Sequence, residues 1–435
     1  MAHTATLAAA PLAAPLDPAT LPLLKRVALR YLPLLFILYV VAIIDHVNVG
    51  FAKLQMQQAL QFSDVVYGLG AGIFFVGYFL FEIPSNMLLA RVGARKWIAR
   101  ILIMWGPVAA ATAFVQTPMQ FYALRFLLGV FEAGLFPGIV LFLTYWFPAE
   151  RRTRYIALFM LGMPIAGAII GPLSAAIMGG MQGLWGLTGW QWMFIVQGLP
   201  ALFLGLVVLA WLDDKPASAR WLSAAEKQQL QRAVGEPVTH ALSPLAEVKL
   251  AFTQRGIWLP TLAYFFLVAA ASSFGLWGPQ FLQDVLKTDL KGIGSAMALI
   301  FVIGTVGMAV VGALSDRAGR REAMLLVMLA LSAVGFGAAA ALTAAPALVV
   351  AGFVVGVFGY LAAFPVFWGS MTPRLAPAAA AAAIALVNSV GNLGGAVGPA
   401  VIGPIKQNLG LVPSVAALAV MMAAAALLAV SLRRR

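Results

Sequence analysis

The sequence predicts an all-α integral membrane protein that crosses the bilayer twelve times, in two halves of six helices. Three observations carry this expectation. Of 435 residues, 62% are hydrophobic and only 10% charged, whereas a soluble domain has roughly a quarter of its residues charged. The apolar residues fall into twelve runs long enough to cross a hydrocarbon layer of ~30 Å. The basic residues gather in alternate gaps between those runs, as topology requires.

The runs centre on 28–52, 66–89, 97–116, 120–146, 155–178 and 190–212, then on 257–282, 293–314, 322–343, 346–370, 378–403 and 411–432. One side collects Lys25, Arg26, Arg30, Arg91, Arg95, Lys96, Arg100, Arg151, Arg152, Arg154, Arg317, Arg320, Arg321, Arg374 and the terminal Arg433, Arg434 and Arg435. The opposite side has Lys53, Lys287, Lys291 and Lys406. This asymmetry puts both termini in the cytoplasm.

Four segments follow. Residues 1–24, rich in Ala, Pro and Thr without a cleavable signal pattern, read as a flexible cytoplasmic tail. Residues 25–212 form the first six-helix bundle, 213–255 a cytoplasmic linker, and 256–435 the second bundle with a short tail. Within the linker, Ser223 followed by Glu226 fits a capping box on a short amphipathic helix.

The halves repeat one another. NMLLARVGARK after the second run matches GALSDRAGRRE after the eighth. Asn86 aligns with Gly312, Arg91 with Arg317, Gly93 with Gly319 and Arg95 with Arg321, while Ala90 stands where the later copy has Asp316. Two related bundles with a site between them describe a transporter better than a receptor or a channel ring. The glycines permit a tight turn, and Asp316, Arg317, Arg320 and Arg321 supply breakable contacts between helix ends. These residues are therefore candidates for gating, not for an enzyme's chemistry.

Composition also excludes partners. There is no cysteine, and His3, His46 and His240 are scattered, so neither a metal centre nor another cofactor is expected. The net charge of +13 lies in short clusters between spans, which argues for membrane orientation and against nucleic acid.

Charges inside the apolar runs point to the site. Arg125 and Glu132 share the fourth run, on one helix face about 10 Å apart. A charge in hydrocarbon is costly and normally faces a polar partner or a water-filled path. Arg125 is expected to line a cavity and meet an anion, and Glu132 to handle a proton. The competing reading is that the two merely lock the bundle. Asp45, His46 and Asn48 lie in the first run, at the same depth as Glu132. Asp45 is a second proton-responsive carboxylate or a partner for a cation. His46 either titrates, as imidazoles do near neutral pH, or serves as a neutral hydrogen-bonding group. Glu82, near the inner end of the second run, is assigned to gating, and Tyr78, one turn deeper, to a carboxylate contact or to packing. The second half supplies dipoles: Asn388 and Asn392 share a face of the eleventh run. Each is a substrate donor or a helix–helix hydrogen bond.

From about residue 25 to 432 the chain resembles the major facilitator superfamily, and within it the anion:cation symporter family. GALSDRAGRR is similar to the superfamily's inner-loop signature. More specific are FFVGYFLFEIPSNMLLARVGARKWIARI, LRFLLGVFEAGLFPGIVLFLTYWFP and WLDDKPASARWLSAAEK. Together they resemble bacterial permeases for tartrate, phthalate, hydroxyphenylacetate, nicotinate and related acids. The resemblance implies a functional monomer in the bacterial inner membrane that imports a small organic anion with protons by alternating access. It implies that Arg125 binds the carboxylate, that Glu132 and Asp45 couple protons, that Tyr78 is the family's polar tyrosine, and that Asn392 belongs to its polar eleventh helix. One departure stands out: where the family carries an arginine after Asp45, this chain has His46. Passive uniport, anion exchange and drug export share the same architecture and stay open at this point.

Overall fold

The helix ends are set by local chemistry. Ser63 accepts from the Val66 amide at the start of the second span, and Thr117 with Gln120 forms a reciprocal capping box at the start of the fourth. Asp289 accepts from the Gly292 amide at the start of the eighth. A computed structural model describes residues 18–433 apart from 235–248, 251, 255 and 376–379. The tail before residue 18, the end of the linker, Arg434, Arg435 and the side chains of Asp316 and Arg433 lie outside the described residues.

All regular structure among the described residues is helical. The first half comprises α1 (Leu21–Leu60), α2 (Asp64–Val92), α3 (Ala94–Ala111), α4 (Pro118–Glu132), α5 (Leu135–Trp146), α6 (Ala149–Met160), α7 (Gly162–Gly180) and α8 (Gly189–Trp211). A short α9 (Ala224–Val234) follows in the linker. The second half has α10 (Trp258–Leu286), α11 (Leu290–Ala318), α12 (Arg321–Ala341), α13 (Pro346–Met371), α14 (Ala380–Leu409) and α15 (Leu411–Ala429). Among the described residues, twelve stretches are long and apolar enough to cross a membrane, with α4 and α5 sharing the fourth and α6 and α7 forming the fifth. The side bearing the linker is called inner below.

Two spans differ from the sequence reading. The first helix begins at Leu21, inside the expected tail, because Leu23 and Leu24 are buried against the first half. It also runs outward to Leu60, so Lys53 is not a loop residue but a buried one, 1% exposed. The fourth span, read as one helix, breaks after Glu132: Ala133 leaves the helical region and Gly134 adopts φ +90°.

Among the described residues, the halves meet chiefly along α1 with α10, α2 with α14, and α7 with α11. One apolar core fills the second half and continues across the outer part of the first through Val49, Phe51, Tyr67, Phe121 and Trp190. Toward the inner side the first half keeps its own core, built around Tyr31, Leu35, Trp105, Phe142 and Trp146. At the α7–α11 contact, a methyl group added to Gly171 would come within 2.3 Å of the Gly294 carbonyl oxygen, so the two backbones touch directly.

The described part of the linker docks on the first half. Arg30 lies over the rings of Trp211 and Trp221, 4.2 and 4.9 Å from their centroids. Tyr31 donates to Asp213 at 2.8 Å, and Arg26 pairs with Glu226 at 2.5 Å. Ser223 and Glu226 form the expected reciprocal cap. That cap, followed by Arg26, holds the Glu226 carboxyl below the usual carboxylate range.

Candidate functional site

Arg125 projects from α4 into the first half and is 1% exposed. Its Nε donates to the Gly70 carbonyl at 3.4 Å, and its guanidinium carbon lies 5.0 Å from the Phe74 ring centroid. Its Nη2 is buried without a hydrogen-bond partner. The expected open cavity around this group is therefore not open here, because the Phe74 ring and the α2 backbone close over it.

Asp45 and Glu132 both act electrostatically on Arg125, but their surroundings differ. Each oxygen of Asp45 has a donor: Asn48 Nδ2 at 2.7 Å for one and the Trp105 indole for the other. Among the described residues Glu132 has one hydrogen-bond partner, His46, whose Nε2 lies 2.5 Å from Oε1, and its Oε2 is buried without any. Glu132 is 2% exposed, whereas the His46 side chain is 24% exposed. The sequence left His46 as either a titrating or a neutral hydrogen-bonding group; in the structure its ring faces Glu132.

The helix break lies directly beside this pair. The Ala133 carbonyl, released from the α4 ladder, accepts from Ser85 Oγ at 2.6 Å, and Ser85 in turn accepts from the Trp97 indole at 2.9 Å. Gly134 is required there, since its φ is left-handed and a Cβ would meet Ser85 Oγ at 2.5 Å. The rings of His46, Tyr78 and Phe75 pack on Phe74.

Across the interface, Asn388 of α14 donates to Glu82 Oε1 at 3.3 Å, while Glu82 Oε2 is buried without a hydrogen-bond partner. Asn388 thus meets Glu82 of the first half, joining a residue assigned to gating with one assigned to substrate; Asn392 lies one turn further along the same helix. The paired inner turns behave differently. Gly93 (φ +98°) lies against the Asp214 carboxylate, which accepts from the Arg95 amide, while the Arg95 side chain donates to the Leu209 carbonyl. In the second copy Gly319 caps α11 at φ +63°, and Arg321 donates to the Gly369 carbonyl at 3.1 Å. These contacts tie helices within a half. Arg91, Arg317 and Arg320 are exposed on the inner side.

Sequence reasoning missed a cluster at the outer side. Lys53 pairs with Asp64 at 2.9 Å, donates to Gln280 at 3.3 Å and lies 4.4 Å from the Trp277 ring centroid and 5.2 Å from that of Tyr67. Gln280 donates to Asp284, which pairs with Lys406 at 2.7 Å. Tyr67 reaches across to the Leu276 carbonyl at 2.8 Å. These groups join α1 and α2 to α10 and α14. Among the described residues, no group of metal-ligating side chains occurs.

Comparisons with known proteins agree with this architecture. The model of the Major Facilitator Superfamily matches residues 35–399. A protein named "Putative tartrate transporter" from Agrobacterium vitis is 43% identical over 394 residues, 89% of each chain. A "Quinolone resistance transporter" from Acinetobacter baumannii is 39% identical, again covering 89% of each chain. A bacterial homologue of the human lysosomal transporter Spinster, in an inward-facing and occupied conformation, shares the fold with a TM-score of 0.76 at 18% identity, over 93% of this chain and 96% of that one. With twelve helical spans and bacterial relatives of nearly full length, the chain is a multi-pass protein of a bacterial inner membrane. It belongs to the Major Facilitator Superfamily and is a membrane transporter, not an enzyme.

Proposed function

We propose that the protein imports a small organic carboxylate together with protons by alternating access, acting as a monomer. The observation that carries this reading is that two charged groups of adjoining position in the first half, Arg125 and Glu132, are among those that keep an unfilled buried polar atom. Arg125 Nη2 and Glu132 Oε2 are both buried and both lack a partner. Buried polar groups are normally satisfied, so such atoms mark a place where a ligand or a proton completes the set. A guanidinium takes up a carboxylate through parallel N–H donors, and an acid with a bare oxygen can take up a proton. Asp45, with both oxygens occupied, serves as the fixed counter-charge to Arg125, and Glu132 as the carboxyl that changes protonation. The name of the Agrobacterium relative favours a hydroxy-dicarboxylate such as tartrate; phthalate and hydroxyphenylacetate belong to the same range.

Arg125 is occluded in this structure, so the cycle requires a second arrangement in which Phe74 withdraws. A ligand biases the two arrangements only through different affinities for them. A second reading is supported by the Acinetobacter relative: the same arginine serves a carboxylate-bearing drug moved outward. Direction-resolved flux of tartrate and of a quinolone in proteoliposomes separates the two.

The test is substitution in reconstituted protein. Arg125→Ala is expected to abolish uptake of the organic acid, and unchanged kinetics would remove its assigned role. Glu132→Gln is expected to impair accumulation driven by a pH gradient more than counterflow. Undiminished accumulation would contradict proton coupling at this residue.

A further inference from the structure

We propose that His46 is the relay through which the proton on Glu132 exchanges with water, so that the two side chains work as one proton-carrying pair. The inference rests on Glu132 being the coupling acid and extends it to the path. Glu132 is sealed, at 2% exposure, and its only hydrogen-bond partner among the described residues is the imidazole 2.5 Å away, which is itself 24% exposed. Packing leaves few other routes. The Phe74 ring covers one side of the imidazole at 4.9 Å and also caps Arg125. The neighbouring carboxylate, Asp45 of α1, has both oxygens occupied by Asn48 and Trp105. The other charged or titratable groups facing the pair are Arg125 of α4 and Tyr78 of α2. An arginine in this position cannot give up its charge, whereas an imidazole exchanges protons at both ring nitrogens.

The step balances without any further reactant. On release, the Glu132 carboxyl gives its proton to Nε2 of neutral His46, leaving a carboxylate beside an imidazolium. The imidazolium then loses its Nδ1 proton to water and keeps the Nε2 proton, which hydrogen-bonds the carboxylate. On loading, water protonates Nδ1, and the Nε2 proton passes to Glu132 Oε1.

The experiment uses full-length protein in liposomes containing a pH-sensitive dye, with labelled tartrate and hydroxyphenylacetate as probes. His46→Ala and His46→Gln are compared with the parent for proton influx, uptake and the pH profile of the initial rate. Both variants are expected to slow proton-coupled uptake about a hundredfold or more, a loss typical for removal of a positioned proton-transfer group. Added imidazole is expected to restore part of the rate in His46→Ala, and a set of substituted imidazoles to do so in the order of their basicity. Parent-like proton influx and pH profile in both variants would overturn the relay. So would slowed uptake that no imidazole restores. If the parent moves neither probe with protons, the coupled-uptake reading itself fails, and that outcome is distinct from a coupled parent with unaffected His46 variants.

Discussion

Arg125, Asp45 and Glu132 were legible in the sequence because each interrupts an apolar run, and a charge in such a run stands out against its neighbours. The residues that hold them were not. Trp105 and Phe74 are aromatic side chains in aromatic-rich helices, and nothing in their spacing separates a donor to Asp45 or a cover for Arg125 from ordinary packing. Trp105 is nonetheless decisive for Asp45. Trp105→Phe removes the donor and leaves a buried carboxylate oxygen unsatisfied, at a cost of about 1–3 kcal/mol. The variant is expected to melt at a lower temperature in detergent and to show weaker organic-acid uptake. An unchanged melting curve would show that the indole contributes packing alone. His46 was visible as a departure from the family, but its direction was not, since a sequence cannot tell which of two neighbours an imidazole faces.

At the scale of an element, the break between α4 and α5 illustrates what periodicity hides. Hydropathy reads residues 118–146 as one crossing, and their length is right for one. The signal for two lay in EAGLFPG, where Gly134 and Pro137 follow an acid within a few residues. The break frees the Ala133 carbonyl, which the lipid interior cannot satisfy, and the Ser85–Trp97 chain supplies the missing donor. Ser85→Ala is expected to cost about 1 kcal/mol in stability and to slow transport. Gly134→Ala forces a side chain into a left-handed conformation, worth roughly 1–2 kcal/mol, besides the clash with Ser85 Oγ. It is expected to be the more damaging of the two in uptake assays. If both variants transport at the parent rate, the break is not coupled to the site. The cap at Ser223 was easier, because a Ser followed three residues later by Glu is local chemistry; Ser63 and Thr117 cap their helices in the same way.

For the whole molecule, span count and the division into six plus six were legible from hydropathy and charge asymmetry, because the bilayer imposes both. How the halves close on one another was not, because it depends on pairs hundreds of residues apart. Lys53 counted only as an outer-side charge in the sequence, yet it is sealed between Asp64, Tyr67, Trp277 and Gln280. Lys53→Met removes the ion pair and the cation–aromatic contacts that join the halves at the outer side. In a Gln280→Cys background, useful because the chain has no cysteine, the substitution is expected to speed labelling by an impermeant maleimide several-fold, the equivalent of about 1 kcal/mol. Equal labelling rates would place the closure elsewhere.

The bare backbone contact between Gly171 and Gly294 has a mechanical meaning. At that one point no side chain separates the two surfaces, so nothing there can be compressed or re-rotamered when one half turns against the other. In the proposed cycle the point acts as a plain bearing, and the restoring force of each stroke must come from contacts elsewhere, such as the ionic cluster joining α1 and α2 to α10 and α14.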